Sequence, residues 1–142
     1  MEEPLTEELL DELLSAPDPA EFAAAHGLGE RTLSEYLNQL LEEKGLDRAK
    51  VVRAARLNAT FGYQVFKGQR RASRDKVLQL AFAIGCTLRE ADRLLQAAGV
   101  NPLYCKNRRD AIIIFCLAHG LTLQQTDDEL YHFKERTICR AS

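Results

Sequence analysis

Apolar residues recur along most of the chain at the three- and four-residue spacing of amphipathic helices. The clearest stripe follows Thr32 and ends at Gly45, because glycine readily adopts the left-handed conformation that closes many helices. This stripe comprises Leu33, Tyr36, Leu37, Leu40 and Leu41. No stretch alternates apolar and polar residues as a half-buried strand does. The pattern therefore predicts an all-α fold.

Polar capping residues in front of apolar stripes predict the remaining helices. A second helix follows Asp47, a third short helix follows Asn58, a fourth follows Ser73, and a fifth follows Thr87 and ends at Gly99. After residue 30, three caps show the capping-box pattern, namely Thr32 with Glu35, Thr87 with Glu90, and Thr122 with Gln125. Five helices are thus predicted between residues 31 and 100.

The pattern restarts after Asn101 and Pro102, which mark a helix stop. Asn107 and Thr122 are predicted to cap two more helices, which form a C-terminal helical pair. The chain is accordingly expected to comprise an acidic N-terminal helical arm (1–30), a five-helix domain (31–100) and a C-terminal helical extension (101–142).

Part of the chain resembles another part after a shift of 35 residues. Residues 73–95 then lie over residues 108–130 with eight identities. The identical pairs are Arg74/Arg109, Asp75/Asp110, Ala83/Ala118, Gly85/Gly120, Thr87/Thr122, Leu88/Leu123, Asp92/Asp127 and Leu95/Leu130. A period of this size suits a pair of helices. Only two copies are visible, so the repeat predicts similar packing and not a solenoid.

Residues 1–30 hold nine acidic residues and no lysine or arginine. They are predicted to form two short helices joined at Pro17 to Pro19, the first with a leucine stripe. The stripe comprises Leu5, Leu9, Leu10, Leu13 and Leu14. Two roles are expected for this arm. It either binds a protein partner through the leucines or masks a basic surface of the same chain, and the plainer alternative is that it docks on its own domain or frays.

The net charge of -2 conceals an uneven distribution. Residues 44–76 contain ten basic residues against Asp47 and Asp75, a local balance of +8. Such a field attracts a polyanion even when the whole chain is slightly acidic. A short helix followed by a basic loop within this window indicates a nucleic-acid partner, because side chains can enter a groove while the loop contacts phosphates. A solvated loop between two core helices is the plainer interpretation.

The five capped helices and the basic loop that ends in Ser73-Arg74 resemble the lambda-repressor-like, XRE-type helix-turn-helix family. The resemblance covers about residues 32–99. Its most specific parts are Y-Q-V-F-K-G-Q-R-R-A-S-R-D-K, L-Q-L-A-F-A-I-G-C-T-L-R-E-A and L-L-Q-A-A-G. It implies a lambda-repressor-like fold in which the second and third helices form the motif and the third lies in the major groove of double-stranded DNA.

The resemblance also implies site residues. Those facing base edges would be Ala59, Thr60, Tyr63 and Gln64. Those near the sugar-phosphate backbone would be Arg48, Lys67, Gln69, Arg70, Arg71 and Arg74. The chemistry agrees, because a glutamine can bond adenine with two hydrogen bonds and arginine forks suit phosphate.

Three residues depart from the family pattern. Arg56 stands in the turn between the second and third helices where the family commonly has glycine, and Ala59 offers no hydrogen bond where a polar side chain is usual. Gly62 replaces an aliphatic core residue, and a glycine inside a helix costs about 1 kcal/mol relative to alanine. We therefore expect a recognition helix that is bent or binds more weakly.

The expected function is sequence-specific binding of double-stranded DNA by a homodimeric, cytoplasmic regulator of transcription. The apolar segment after Asn107 is the expected place for the dimer interface or for an extension of the core. The alternative is an adaptor or antitoxin-like protein that uses a helix-turn-helix scaffold to bind a protein.

Other chemistries receive little support from the sequence. The three histidines lie at helix ends or on amphipathic faces, so no enzyme is expected, and no cofactor. A metal site from Cys116, His119, His132 and Cys139 is conceivable, but zinc sites normally show a tighter second ligand pair, so none is expected. The four cysteines lack paired spacing, which favours reduced thiols in the cytoplasm. No apolar run approaches the roughly 20 residues of a membrane span, so no membrane partner is expected.

Overall fold

The computed structural model describes residues 31–139, and these residues form seven α-helices and no strand. The all-α prediction is confirmed for this part of the chain. The arm predicted at residues 1–30 lies outside the described residues. The helices are α1 (Leu33–Lys44), α2 (Arg48–Ala54), α3 (Ala59–Phe66), α4 (Arg74–Ile84), α5 (Leu88–Ala97), α6 (Arg108–Ala118) and α7 (Leu123–His132).

Every helix begins at the polar residue that the sequence indicates. The caps are Thr32, Asp47, Asn58, Ser73, Thr87, Asn107 and Thr122, and each side chain accepts a hydrogen bond from a backbone N–H of the first turn. Full capping boxes form at Thr87 and Thr122. At Thr32 the structure records only the bond from the Glu35 amide, 3.1 Å long, so the box expected there is half formed.

One hydrophobic core joins all seven helices. Its largest fully buried side chains include Phe66 from α3, Leu94 from α5, Ile113 from α6 and Leu130 from α7. The described residues from Thr32 onward lie in one compact unit. Residues 101–139 therefore belong to the same compact unit as the five helices before them.

Three helix pairs are joined in the same way, by a left-handed glycine, one apolar residue and a cap. The joins are Gly45-Leu46-Asp47, Gly85-Cys86-Thr87 and Gly120-Leu121-Thr122. In each join the amide of the apolar residue donates to a carbonyl five residues earlier, at 2.9 to 3.0 Å. A shift of 35 residues does not align the first pair, α1 and α2, with the second, because Gly45 and Gly85 are 40 residues apart. Helix α3 stands between the first and second pairs.

Reciprocal ion pairs join the two halves of the 35-residue repeat. Arg74 donates to both carboxylate oxygens of Asp110 at 3.0 and 2.8 Å, and Arg109 donates to Asp75 at 3.1 Å. Each arginine thus binds the aspartate of the other copy. A contact that is exchanged in this way is the mark of a two-fold relation. We conclude that the α4–α5 and α6–α7 pairs pack about a local two-fold axis.

The repeat extends further along the chain than the eight identities. Arg74 also donates to the carbonyls of Asn101 and Pro102, and Arg109 donates to those of Arg136 and Thr137, each 35 residues later. Similarly, Asp92 accepts from the Leu103 amide and Asp127 from the Ile138 amide. Hydrogen bonds from these matching arginines and aspartates to backbone atoms keep the relation at positions where the residue types differ.

None of the described helices is both long and apolar enough to cross a membrane.

Candidate nucleic-acid interface

A tight turn orients α3 relative to α2. Arg56 adopts a left-handed conformation with φ 59°, and the Leu57 amide donates to the Val52 carbonyl at 3.2 Å. Glycine would enter this conformation without steric cost, so Arg56 holds it at some expense. The buried amide of Gln79 on α4 donates to the Ala55 carbonyl at 2.8 Å and holds the turn on the core.

Helix α3 lies close against α2 at Gly62. A Cβ atom at this position would lie 2.7 Å from Cγ2 of Val52 and even closer to Cγ1. Val52 therefore fills the space that a side chain at position 62 would need. Val65 and Phe66, each 1% exposed, anchor the other end of the same face. The helix runs unbroken from Ala59 to Phe66 through this glycine.

Both ends of α3 are fixed by hydrogen bonds. At the first turn, Oδ1 of Asn58 accepts from the amides of Thr60 and Phe61 at 2.9 and 3.1 Å. At the last turn, the Phe66 carbonyl accepts from Oγ of Ser34 and Nδ2 of Asn38 on α1, at 2.5 and 2.9 Å. The orientation of α3 is thus determined by α1 and α2 together.

The outward side of α3 carries the four residues that the resemblance assigns to base edges. Ala59, Thr60 and Tyr63 are exposed, and Gln64 is half-buried. We call this the α3 face. The basic loop is defined as residues 67–71, in which Lys67, Gln69, Arg70 and Arg71 are all exposed. The structure places these predicted site residues on consecutive segments.

Two aromatic rings of α3 hold four cations around the α3 face. The Arg48 guanidinium carbon lies 4.8 Å from the centroid of the Tyr63 ring, and Nζ of Lys67 lies 5.5 Å from it. The Phe61 ring likewise has Arg70 at 5.3 Å and Nζ of Lys76 at 5.1 Å. These distances are within the range of cation–π attraction, which is worth about 0.5 to 1 kcal/mol at exposed sites.

The sequence did not indicate that Phe61 and Lys76 belong to this arrangement. Lys76 belongs to the basic window, but it lies in the first turn of α4, and no local pattern places its ammonium over α3. A half-buried phenylalanine followed by several cations is a weak signal, because core phenylalanines are common.

Arg74 does not belong with the exposed cations, contrary to its expected place near phosphate. Its Nε and both terminal nitrogens donate to Asn101, Pro102 and Asp110. Its pKa lies above the ordinary value because of the hydrogen bond to Asp110, an effect that outweighs burial. The guanidinium joins two helix pairs of the protein, so Arg74 is not among the cations that we expect to contact phosphate.

One of the two acidic residues of the basic window, Asp75, is paired with cations from outside the window. Asp75 is bound by Arg109 at 3.1 Å and lies 3.8 Å from Arg136, so its charge is balanced by residues outside the window. Asp47 accepts from the Lys50 amide at the start of α2. Lys44 is paired with Glu90 at 3.1 Å and Arg74 with Asp110 at 2.8 Å, so the field on whatever approaches α3 comes from the cations outside these two pairs.

The described residues offer few groups for covalent or metal chemistry. Burial raises the pKa of the Cys86 thiol to about 12 and also raises the pKa values of Cys116 and Cys139, which opposes thiolate formation. The His119 ring stacks on the Phe115 ring, and its Nδ1 lies within hydrogen-bonding distance of the Phe115 carbonyl oxygen. Between residues 31 and 139, no group of three or more histidine, cysteine or acidic side chains is arranged to hold a metal ion.

No family model matches the chain, and comparison with curated proteins and with solved structures gives no match either.

Proposed function

We propose that this chain is a sequence-specific double-stranded DNA-binding protein that regulates transcription from the cytoplasm, with a lambda-repressor-like helix-turn-helix formed by α2 and α3. The observation that carries the proposal is the set of four cations held by Tyr63 and Phe61 around an exposed helix. Solubility alone does not require cations to gather at one helix.

The proposed arrangement places α3 in the major groove and the basic loop on the phosphates. Thr60 and Gln64 are the base readers, because the hydroxyl and the amide can each make directed hydrogen bonds to base edges. Ala59, exposed at the first turn, can contact a thymine methyl. We do not place Tyr63 among the base readers, since its ring faces Arg48 and Lys67. We place it beside the backbone, where it orients those two cations.

Each phosphate contact releases counterions, so it steepens the slope of log affinity against log salt concentration by a measurable amount. We expect the protein to bind a pool of random duplexes with an affinity that falls steeply with salt. Replacing Arg70 and Arg71 together with alanine should lower the slope by about 0.9 per lost phosphate contact. Fluorescence anisotropy of a labelled duplex at several salt concentrations measures it.

The matched control is Lys106→Ala, which removes an exposed cation from the segment before α6. Its slope should equal that of the unchanged protein. Equal slopes for the control and the double arginine variant would remove the basic loop from the interface. Absence of duplex binding even in dilute buffer would refute the DNA-binding proposal and leave the adaptor hypothesis. Selection from the random pool then gives the sequence that α3 reads.

A further inference from the structure

A cleft opens where two of the glycine joins meet. Its volume is about 600 Å³, and its walls include the joins Gly85-Cys86-Thr87 and Gly120-Leu121-Thr122. The flanking residues that line it are also equivalent in pairs 35 residues apart, and these pairs are Phe82/Leu117, Ala83/Ala118 and Leu88/Leu123. The cleft therefore lies across the local two-fold axis that relates α4–α5 to α6–α7.

Small residues keep this cleft open. A Cβ atom at Gly85 or at Gly120 would contact no atom within 4 Å beyond its chain neighbours. Ala83 and Ala118, which also line the cleft, add only methyl groups. A concave site of a few hundred cubic ångströms with mostly apolar walls is the usual shape of a small-molecule site.

Only one charged side chain lines the cleft, and it is Arg56. The large side chains of the walls are hydrocarbon, namely Phe82, Leu88, Leu117, Leu121 and Leu123. Burial raises the pKa of the Cys86 thiol to about 12, so this wall residue is uncharged as well. A ligand that matches these walls has an apolar body and one anionic group.

The charge of Arg56 is not balanced by a carboxylate of the described residues. Its Nη2 donates to Oε1 of Gln124, a neutral side chain that also lines the cleft. No aspartate or glutamate between residues 31 and 139 forms an ion pair with Arg56. The nearby Asp128 accepts instead from Nε2 of Gln124 at 2.8 Å. The exposed guanidinium is therefore available to an anion from solution.

The backbone at Arg56 supports a role for its side chain. Its φ of 59° is a left-handed conformation that is unfavourable for a residue with a Cβ atom. Residues held in such conformations concentrate at functional sites, including ligand sites. A carboxylate suits this position because it matches the planar guanidinium fork and carries the single charge that one arginine balances.

We propose that this cleft binds a small molecule with an apolar body and one carboxylate, such as a medium-chain fatty acid. The carboxylate contacts Arg56, and the apolar body lies along the leucines of the two joins. No residue of the α3 face or the basic loop lines the cleft, so this site is separate from the proposed DNA interface. Because Arg56 belongs to the turn between α2 and α3, the ligand contacts the turn that orients α3.

The test titrates the full chain with decanoate and with decanol and measures both affinities by isothermal titration calorimetry. No DNA is present, so the outcome does not depend on DNA binding. The two probes share an apolar chain of the same length, and only decanoate carries the anionic group. We expect one decanoate per chain, bound at least about tenfold more tightly than decanol, because hydrogen bonds between charged groups are the stronger ones.

Arg56→Gln removes the charge and keeps a side chain with a Cβ atom in the turn. We expect it to weaken decanoate binding about tenfold and to leave decanol binding unchanged. The matched control is Arg53→Gln, which removes an exposed cation from α2 outside the cleft. It should bind decanoate like the unchanged protein.

Ala118→Trp fills the cleft from an exposed position, so it should abolish the binding of both probes while the fold remains. Ala49→Trp makes the same change at an exposed position of α2 outside the cleft and should bind both probes normally. Thermal melting of each variant verifies that it is folded.

Three results would overturn the proposal. The first is an unchanged protein that binds no decanoate, or that binds decanoate and decanol equally. The second is a folded Arg56→Gln protein with the decanoate affinity of its control, which would show that the guanidinium does not hold the carboxylate. The third is a folded Ala118→Trp protein that binds like its control, which would place the ligand outside the cleft.

Discussion

Gly62 shows how a single residue sets the distance between two helices of the proposed motif. In an isolated helix a glycine is unfavourable by about 1 kcal/mol relative to alanine. In this protein the position is buried and faces the side chain of Val52, with no space for a Cβ atom. The close approach of α2 and α3 therefore outweighs the local preference for alanine.

We expect Gly62→Ala to destabilise the fold by about 1 to 3 kcal/mol, because the added methyl group overpacks a filled space. Denaturant unfolding followed by circular dichroism measures the free energy of unfolding. Val52→Ala in the same chain should recover most of the loss, since it removes the two methyl groups that the new Cβ would meet. A Gly62→Ala protein as stable as the unchanged one would show that α2 and α3 can separate at little cost.

At the scale of one element, α3 combines fixed ends with preset surroundings. Hydrogen bonds with Asn58, Ser34 and Asn38 fix its two ends, and cations lie over the exposed Tyr63 ring and the half-buried Phe61 ring. Cations ordered before binding lose less conformational entropy when they contact phosphate. We therefore propose that Phe61 positions Arg70 and Lys76 for phosphate in the proposed complex with DNA.

Phe61→Leu should weaken DNA binding by about three- to tenfold without changing the salt slope, because both cations remain but are less ordered. This separates Phe61 from the arginines of the basic loop, whose removal should lower the slope. Salt titrations of duplex binding supply both values.

Phe61→Tyr keeps the ring and should restore the affinity, which a purely structural loss would not require. Since Phe61 is half-buried, the free energy of unfolding of each variant is measured beside its affinity. An affinity of Phe61→Leu equal to that of the unchanged protein would contradict the positioning role.

At the scale of the whole molecule, the last four helices are joined by the reciprocal pairs Arg74–Asp110 and Arg109–Asp75. Burial raises the pKa of Asp110, but hydrogen bonds from Arg74 and from the Tyr104 amide, with the charges of Arg74 and Arg109, outweigh that effect. The pKa of Asp110 therefore lies below its ordinary value of 3.8. A carboxyl group with a lowered folded-state pKa stabilises the fold above the unfolded-state pKa, and this contribution disappears as the pH falls through the folded-state pKa.

Asp110→Asn should lower the free energy of unfolding at pH 7 by about 1 to 3 kcal/mol, because a nearly buried bidentate pair loses its charge. The difference from the unchanged protein should stay constant down to about pH 5 and shrink below about pH 4. Denaturant unfolding at a series of pH values measures it. The exposed Glu129, replaced by glutamine, serves as the control and should have little effect. A difference that persists undiminished at low pH would show that the Asp110 charge is not its source.

The sequence alone determined where helices begin and end, because a cap depends on a side chain and an amide only two or three residues apart. The same local rules predicted that the basic loop directly follows the helix that carries the α3 face. The sequence could not separate Arg74 from Arg70, since both are arginines of one basic stretch. Their difference arises from partners 27 to 36 residues away for Arg74 and from an aromatic ring for Arg70.

Tertiary structure also decided the meaning of the 35-residue repeat. Identical residues at a fixed shift are compatible with a translated stack or with a two-fold pair, and only the exchange of aspartates between Arg74 and Arg109 distinguishes them. The fit of Gly62 against Val52 and the position of Lys76 over Phe61 are decided in the same way. Periodicity reports which side of a helix is apolar, whereas the partner of each side chain depends on how distant helices pack in space.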